Sequence, residues 1–325
     1  MKIVMTLMAR NEADVIEKTV RYHLEAGIDF VIATDHRSED GTTEIFRRYE
    51  REGHLHLIRQ TSEAYRQTEW VTQMAQLAAT RFGADWVINA DADEFWWPHS
   101  GTLRDVLAAV PSRFGAIRGI WRHFVLRPEN GKPFYERMIV RRAPAHEPTN
   151  PYCANAKVVH RGDPDVLVIR GNHDAVGRRL VLLREWVPFE VLHFPIRNRE
   201  QFQRKYRTAH VSHRLAGSNW VPVHVERIVS ELEENADDAY RGLLVDDAAL
   251  KDGLDDRVLT VDTRLRDRLR GDVAKLESAS PSVADDVSFA EEIDAMLVMD
   301  SAQRLTMRVD SFERRLAAVE AKRAR

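Results

Sequence analysis

The segment NADADEFWWP, residues 89–98, places two aspartates one residue apart, with a glutamate directly after them, at the end of the apolar run WVI. In an extended segment side chains two apart point to the same side, so Asp91 and Asp93 project together while Ala92 turns away. Two carboxylates on one side are hard oxygen ligands at a spacing suited to one divalent cation. Mg²⁺ and Mn²⁺ use one or two protein carboxylates, keep several waters and take phosphate oxygens as remaining ligands. The pair points to a metal bridging to a diphosphate; the plainer alternative is an acidic turn that caps the next helix. Acids clustered with nothing positive beside them repel one another, which favours a bound cation.

Other residues of the same chemical character recur along the chain. In ATDHRSEDGT, residues 33–42, Asp35 ends an apolar run, and Ser38, Asp40 and Gly41 make a tight turn into a helix whose amino end attracts anions. In ARNEAD, residues 9–14, Arg10, Asn11 and Glu12 follow another apolar run. His193, in VLHFP, reads equally as a satisfied core histidine and as a further metal or diphosphate ligand. Arg197, Arg199, Arg204 and Lys205 form a basic run suited to neutralising a departing diphosphate, or a solvated helix face. Trp96 and Trp97 are of a type that stacks on sugars and bases, although large aromatics beside a strand end are more often core.

The elements that must position these groups follow from hydrophobic periodicity. Residues 3–8 read as a strand, the following segment as a helix stopped at Gly27, and IDFVIATD as a second strand. A helix, the strand HLHLIRQ, a helix from about Glu69 to Phe82 and the strand DWVINAD come next. This β-α-β-α-β opening predicts a parallel sheet with right-handed crossovers. ARNEAD, TDHRSEDGT and the Asp91–Asp93 pair then lie at carboxyl ends of strands, outside which such sheets bind ligands. After Pro98 come a short helix and the strand fragments AIRGIW, VLVIRG, RLVLLREWV and FEVLHF, a mixed extension of the sheet. From residue 198 the pattern is mostly helical. Near the end Leu305, Val309, Phe312, Leu316 and Val319 form a short heptad seam able to pair with a second copy or with its own domain.

Bulk composition narrows the class. A chain of 325 residues that is 44% hydrophobic and 30% charged belongs with soluble globular proteins. Its net charge of −3 argues against broad neutralisation of nucleic-acid phosphates. The single cysteine, Cys153, excludes an internal disulfide and fits a reducing, cytoplasmic setting. No window reaches the roughly 18 apolar residues of a spanning helix, so membrane association is expected to be peripheral at most.

Taken in order, LMARNE, TDHRSEDGT and DWVINADADEFW resemble the nucleotide-binding half of family 2-like glycosyltransferases of the GT-A fold. The resemblance covers about residues 1–100 and extends weakly to LHFPIRNREQFQRK. It implies a Rossmann-like α/β fold, a mixed, mainly parallel sheet flanked by helices, with a helical C-terminal extension. The nucleotide-sugar half would occupy residues 1–100, an acceptor half 101–222 and the extension 223–325. The activity implied is transfer of a sugar from a UDP- or GDP-sugar to a hydroxyl of a glycan, lipid-linked or small-molecule acceptor, with inversion and with Mg²⁺ or Mn²⁺. Asp35 would contact base or ribose and Asn11 with Glu12 would hold the nucleoside, joined by Arg10, Ser38 and Asp40 in the same loops and by Arg66. Asp91, Asp93 and His193 would meet the metal and diphosphate. The acid pair that commonly supplies the catalytic base is missing at its usual distance. Asp174, Glu185 and Glu190 are the candidates, with Asp174 favoured because its Gly-Asn-His-Asp loop has no evident core role. A nucleotidyltransferase is the competing enzyme class, although ARNEAD lacks the Gly-rich basic loop such an enzyme usually carries. A non-catalytic carbohydrate- or partner-binding protein is the other alternative.

Overall fold

In the computed structural model, residues 1–143, 156–215 and 223–272 are described. Cys153 and the heptad seam from Leu305 to Val319 lie outside the described residues, as does Trp220, a tryptophan of the segment expected to serve the acceptor. Seven consecutive buried residues form β1 (Ile3–Ala9), which carries β2 (Phe30–His36) on one side and β4 (Trp86–Asp91) on the other, all parallel. Burial along every residue is what a strand covered on both faces requires. β3 (Leu55–Gln60) completes this parallel group beyond β2. The crossovers are α1 (Ile16–Glu25), α2 (Thr42–Arg51) and α3 (Gln67–Thr80), each with one buried face.

The sheet then continues through later segments. β5 (Glu94–Pro98), α4 (Leu103–Ala109), β6 (Ala116–His123), the single turn α5 (Phe134–Arg137) and β7 (Val140–Arg142) follow β4. Next come β8 (Ala156–Arg161), the two-residue strands β9 (Leu167–Val168) and β10 (Ala175–Val176), and β11 (Phe189–His193). α6 (Arg199–Leu215), α7 (Val223–Arg241), α8 (Asp247–Asp255), β12 (Leu259–Val261) and α9 (Arg264–Arg270) close the described chain. Eight strands make one sheet in the order β3-β2-β1-β4-β8-β6-β11-β5. β8 is antiparallel to both β4 and β6, β11 is parallel to β6, and β5 is antiparallel to β11. The sheet is therefore mixed and mainly parallel, as the fold expectation has it.

Sheet order and chain order disagree at one place, and the disagreement shapes the molecule. β4 and β5 are separated in sequence by Ala92 and Asp93 alone, yet in the sheet by three strands. Four interstrand spacings of about 4.8 Å span about 19 Å in a flat sheet. Three Cα steps from Asp91 to Glu94 reach only about 11 Å. The sheet must curl until its far edge returns toward β4. Gly119 in β6 permits part of this packing, since a Cβ there would stand 2.9 Å from the Trp96 ring and 3.0 Å from Phe189.

Two expectations of strand placement are corrected. RLVLLREWV makes only an isolated bridge, Leu182 to Ala116, and VLVIRG contributes only to the two-residue β9–β10 ribbon. The strand that fills the sheet between β4 and β6 is AKVVHR, in which Lys157 and His160 are fully buried. Charged letters in a central strand hide it from a hydrophobicity reading. Trp96 is core, edge-on to Phe189, and the partly buried Trp97 stacks at 6.2 Å on Tyr22, so both pack against the fold. No helix among the described residues is long and apolar enough to cross a membrane.

Candidate active site

Strand directions bring the polar chain segments to one edge of the sheet. Met8 pairs with Asp91 and Ala9 with Asp35, so the carboxyl ends of β1, β2 and β4 are level. β8 runs the other way and starts at this edge with Lys157, while β6 and β11 end here with His123 paired to His193. β5 starts here with Glu94 opposite His193. A cavity of about 270 Å³ opens at this edge, with Arg10, Asn11 and Glu12 on one side and Arg204 and Lys205 of α6 on another. Asn11 adopts φ 58°, a left-handed conformation that asparagine tolerates better than most residues, and turns the chain at the mouth of β1.

The acids of the opening motif are all partnered by cations. Lys157 Nζ donates to Asp91 Oδ2 at 2.7 Å, Glu94 Oε1 at 2.8 Å and the Gly171 carbonyl at 2.7 Å, and its side chain is 1% exposed. Lys205 Nζ donates to Asp93 Oδ2 at 2.7 Å and to the Pro195 carbonyl at 3.0 Å. Arg197 stands 3.7 Å from the same Asp93 oxygen. Burial alone would raise the Asp93 carboxyl, but Lys205, His193 and Arg197 hold it well below the usual range. Burial likewise disfavours the Lys157 ammonium, and Asp91 and Glu94 overcome it and keep the lysine charged. The expectation of acids with nothing positive beside them is thus corrected: the cations arrive from β8, α6 and the loop before α6, distant in sequence.

Glu94 is the buried anchor of the turn. It accepts from Trp121 Nε1 at 2.8 Å and from the Asp91 backbone N–H at 3.0 Å, and it is fully buried. Asp91 Oδ1 receives Asn172 at 3.2 Å and Gln67 at 3.4 Å.

The remaining expected site residues fall into two groups. Arg10, Asn11, Glu12, Asp91, Asp93 and His193 line the cavity. Glu12 is also gripped by Arg197, which binds Asp14 at 2.7 Å, so the acids of ARNEAD fasten the segment before α6. His193 lies 3.5 Å from Asp93 and stacks on Trp121 at 4.6 Å. Asp35 is buried behind the cavity, where Thr43 and the Ser38 backbone N–H occupy its oxygens. Ser38 and Asp40 accept from the backbone N–H groups of Asn11 and Ala13, and so brace the loop after β1. Arg66 precedes α3 on the surface beside Glu69, and its neighbour Gln67 lines the cavity in its place.

None of the three candidate bases lines the cavity, and Glu185 is exposed in the loop before β11. Glu190 is 3% exposed in the middle of β11 and is clamped between Arg122 and Arg264. Burial would raise its carboxyl, but Arg122, Arg264 and Arg141 pull it far below the ordinary range, which unsuits it as a proton acceptor. Asp174 stands 3.9 Å from Arg118 and caps the Ala175 N–H at 2.9 Å, outside the lining. Its loop serves the site differently, through Asn172 on Asp91 and the Gly171 carbonyl on Lys157.

A divalent cation does not fit this arrangement as it stands. One oxygen of each aspartate, Oδ2, already holds an ammonium group. Near a protein surface a pair of unit charges 4 Å apart interacts by about 4 kcal/mol, and a divalent ion doubles the repulsion from each lysine. Among the described residues no three His, Cys, Asp or Glu side chains are grouped to hold a metal.

Sequence reading missed Lys157, His36 and Gln67, and it places Trp121 in the acceptor region without ranking it above Trp186 and Trp220. His36 follows Asp35 directly, and on a strand the next residue faces the opposite side, so alternation was the available signal. Lys157 gave no signal beyond a lone lysine ahead of Val158 and Val159.

Comparisons with known proteins bear on the chain as a whole. No curated protein gives a significant match. Among solved structures, S. aureus TarS residues 1–349 in complex with UDP aligns over 71% of this chain and 70% of that one, at 14% identity and TM-score 0.36. The same protein with UDP-GlcNAc aligns over 94% and 92%, at 12% identity and TM-score 0.37. Glucosyl-3-phosphoglycerate synthase from Mycobacterium tuberculosis, with Mn²⁺, UDP and glucosyl-3-phosphoglycerate, aligns over 37% and 44%, at 18% identity and TM-score 0.28. These are distant likenesses. The family assignment comes from sequence: residues 5–172, just over half of the chain, match glycosyltransferase family 92 across all three strand-end motifs and Lys157. The chain belongs to glycosyltransferase family 92.

Proposed function

We propose that this glycosyltransferase takes its sugar from a UDP- or GDP-sugar bound in the cavity at the carboxyl ends of β1, β2 and β4. The acceptor is a hydroxyl of a glycan, a lipid-linked sugar or a small molecule. The observation that carries the reading is the convergence of Arg10, Arg204 and Lys205 on one cavity with the polar loop after β1. Fixed cations beside a polar cleft are what a diphosphate leaving group requires as its charge develops. In the transfer, the acceptor oxygen forms a bond to the anomeric carbon while the bond from that carbon to the phosphate oxygen breaks. The nucleoside diphosphate leaves with the electron pair, and the hydroxyl proton passes to a carboxylate or imidazole of the lining, where Glu12, Asp91, His36 and His193 stand. Direct displacement inverts the anomeric configuration, the stereochemistry that the family 2-like resemblance implies.

Calorimetry with UDP-glucose, UDP-GlcNAc and GDP-mannose tests the reading. At least one donor is expected to bind, and Arg204→Ala is expected to weaken it by about tenfold or more through loss of a charged contact. Asp174→Asn, outside the cavity, should leave affinity unchanged. Failure of every donor to bind, or equal effects of the two variants, refutes the site.

A further inference from the structure

We infer that this chain meets the donor's diphosphate with a built-in ammonium, Lys205, instead of a divalent cation held between Asp91 and Asp93. The inference rests on the cavity being the site of a nucleoside-diphosphate donor.

The two lysines at the acids have different capacities. An ammonium has three N–H donors. Lys157 spends all three, on Asp91, Glu94 and the Gly171 carbonyl, and lies 1% exposed behind the cavity. It neutralises the turn and has nothing left for a ligand. Lys205 makes two such contacts, to Asp93 and the Pro195 carbonyl, and its side chain is 35% exposed where it lines the cavity. Its third N–H is available to a phosphate oxygen, with Arg204 adjacent on α6.

The acids accordingly hold lysines in place and are not a ligand set waiting for metal. Asp93 keeps Lys205 charged and aimed, and Asp91 and Glu94 do the same for Lys157. Each cation is fixed by carbonyl contacts as well as by carboxylates: Pro195 fixes one and Gly171 the other. A divalent ion entering between Asp91 and Asp93 would sit against both ammoniums, and Lys157 is 1% exposed and held by three contacts.

The experiment is calorimetric titration of UDP and of GDP into the full chain, once in EDTA and once in millimolar Mn²⁺, with free Mn²⁺ followed by electron paramagnetic resonance. The better nucleotide is expected to bind in EDTA, with an affinity that Mn²⁺ changes by less than about threefold, and the chain should take up no stoichiometric Mn²⁺. Lys205→Gln should weaken that nucleotide by about tenfold or more, while the matching nucleoside, uridine or guanosine, binds as to the wild type. Nucleotide binding that appears only with Mn²⁺ overturns the inference and leaves the donor site standing. No binding of either nucleotide in both conditions removes the donor site itself, and this inference with it. Should Lys205→Gln fail to fold, the wild-type comparison between EDTA and Mn²⁺ decides the matter alone.

Discussion

Lys157→Met removes a charged group that joins three chain segments beneath the cavity. Its Nζ contacts Asp91 from β4, Glu94 from β5 and the Gly171 carbonyl, all within 2.8 Å. Methionine fills most of the aliphatic volume, so the lost charge dominates. Asp91 keeps 28% of its side chain exposed and can be resolvated, but Glu94 is fully buried and retains only Trp121 and the Asp91 N–H as donors. Removing one partner of a buried ion pair costs about 3–5 kcal/mol, because the other charge stays buried without compensation. Urea unfolding at pH 7, followed by circular dichroism at constant m-value, should show a loss of that size. The double variant Lys157→Met/Glu94→Gln removes the stranded charge while its amide oxygen still accepts from Trp121. It should recover most of the loss, leaving about 1–2 kcal/mol and a large coupling energy between the two sites. A single-variant loss below about 1 kcal/mol, or losses that simply add in the double variant, would refute the claim that the turn depends on a buried lysine.

Stability should also fall in mild acid. His23 accepts the Trp96 N–H at Nε2 and lies 2.8 Å from the Thr19 carbonyl at Nδ1, so the neutral ring satisfies both, and burial pushes its pKa down to about 4. His160 is likewise pushed down by burial to about 4. An unfolded histidine titrates near 6.5, so between these values the unfolded chain binds protons that the folded chain refuses. The stabilisation is complete above about pH 6.5 and is lost as pH falls toward about 4, by up to about 3 kcal/mol for each histidine. Urea midpoints measured from pH 7.5 to 4.5 should decline accordingly, and a flat profile would contradict two buried neutral rings. Glu190→Gln should behave as a structural change: loss of about 3–5 kcal/mol with Arg122 and Arg264 left short of a carboxylate, and nucleotide affinity unchanged in the folded fraction. Nucleotide affinity that falls without loss of stability would return Glu190 to the site.

Local periodicity carried the opening parallel part of the fold because its strands and covering helices alternate along the chain. β1, β2, β3 and β4 are apolar runs with short connections, and their carboxyl ends located Arg10, Asn11, Glu12 and Asp91 correctly at one edge. Three things were not legible, for a shared physical reason. β8 contains Lys157 and His160, whose burial is stabilised by partners in other segments, so its own letters look solvated. Asp35 looked like a ligand because an acid at a strand end is exposed by default. Only the fold buries it and supplies Thr43 and the Ser38 N–H as partners for its oxygens. Asp174 is favoured for lacking an evident core role, and Glu190, another of the candidate acids, has a structural role set by arginines 68 residues before it and 74 after it.

The curl of the sheet explains why the opening motif needs three acids. Asp91 ends a strand in the middle of the sheet, Glu94 begins a strand at its far edge, and Asp93 lies in the two-residue link between them. Closing that link brings the ends of β4 and β5 within three residues of each other, over the start of β8. A carboxylate on each end needs a cation there, and Lys157, at the start of β8, is the group already in position. Asp93, left at the lip of the closure, meets Lys205 and Arg197 from the segment that leaves β11, the strand paired with β5. The motif thus serves first to hold a curled sheet closed over its own lysines. The cavity's positive groups take their positions from that closure, and for this reason replacing Lys157 should disturb the fold and the donor site together.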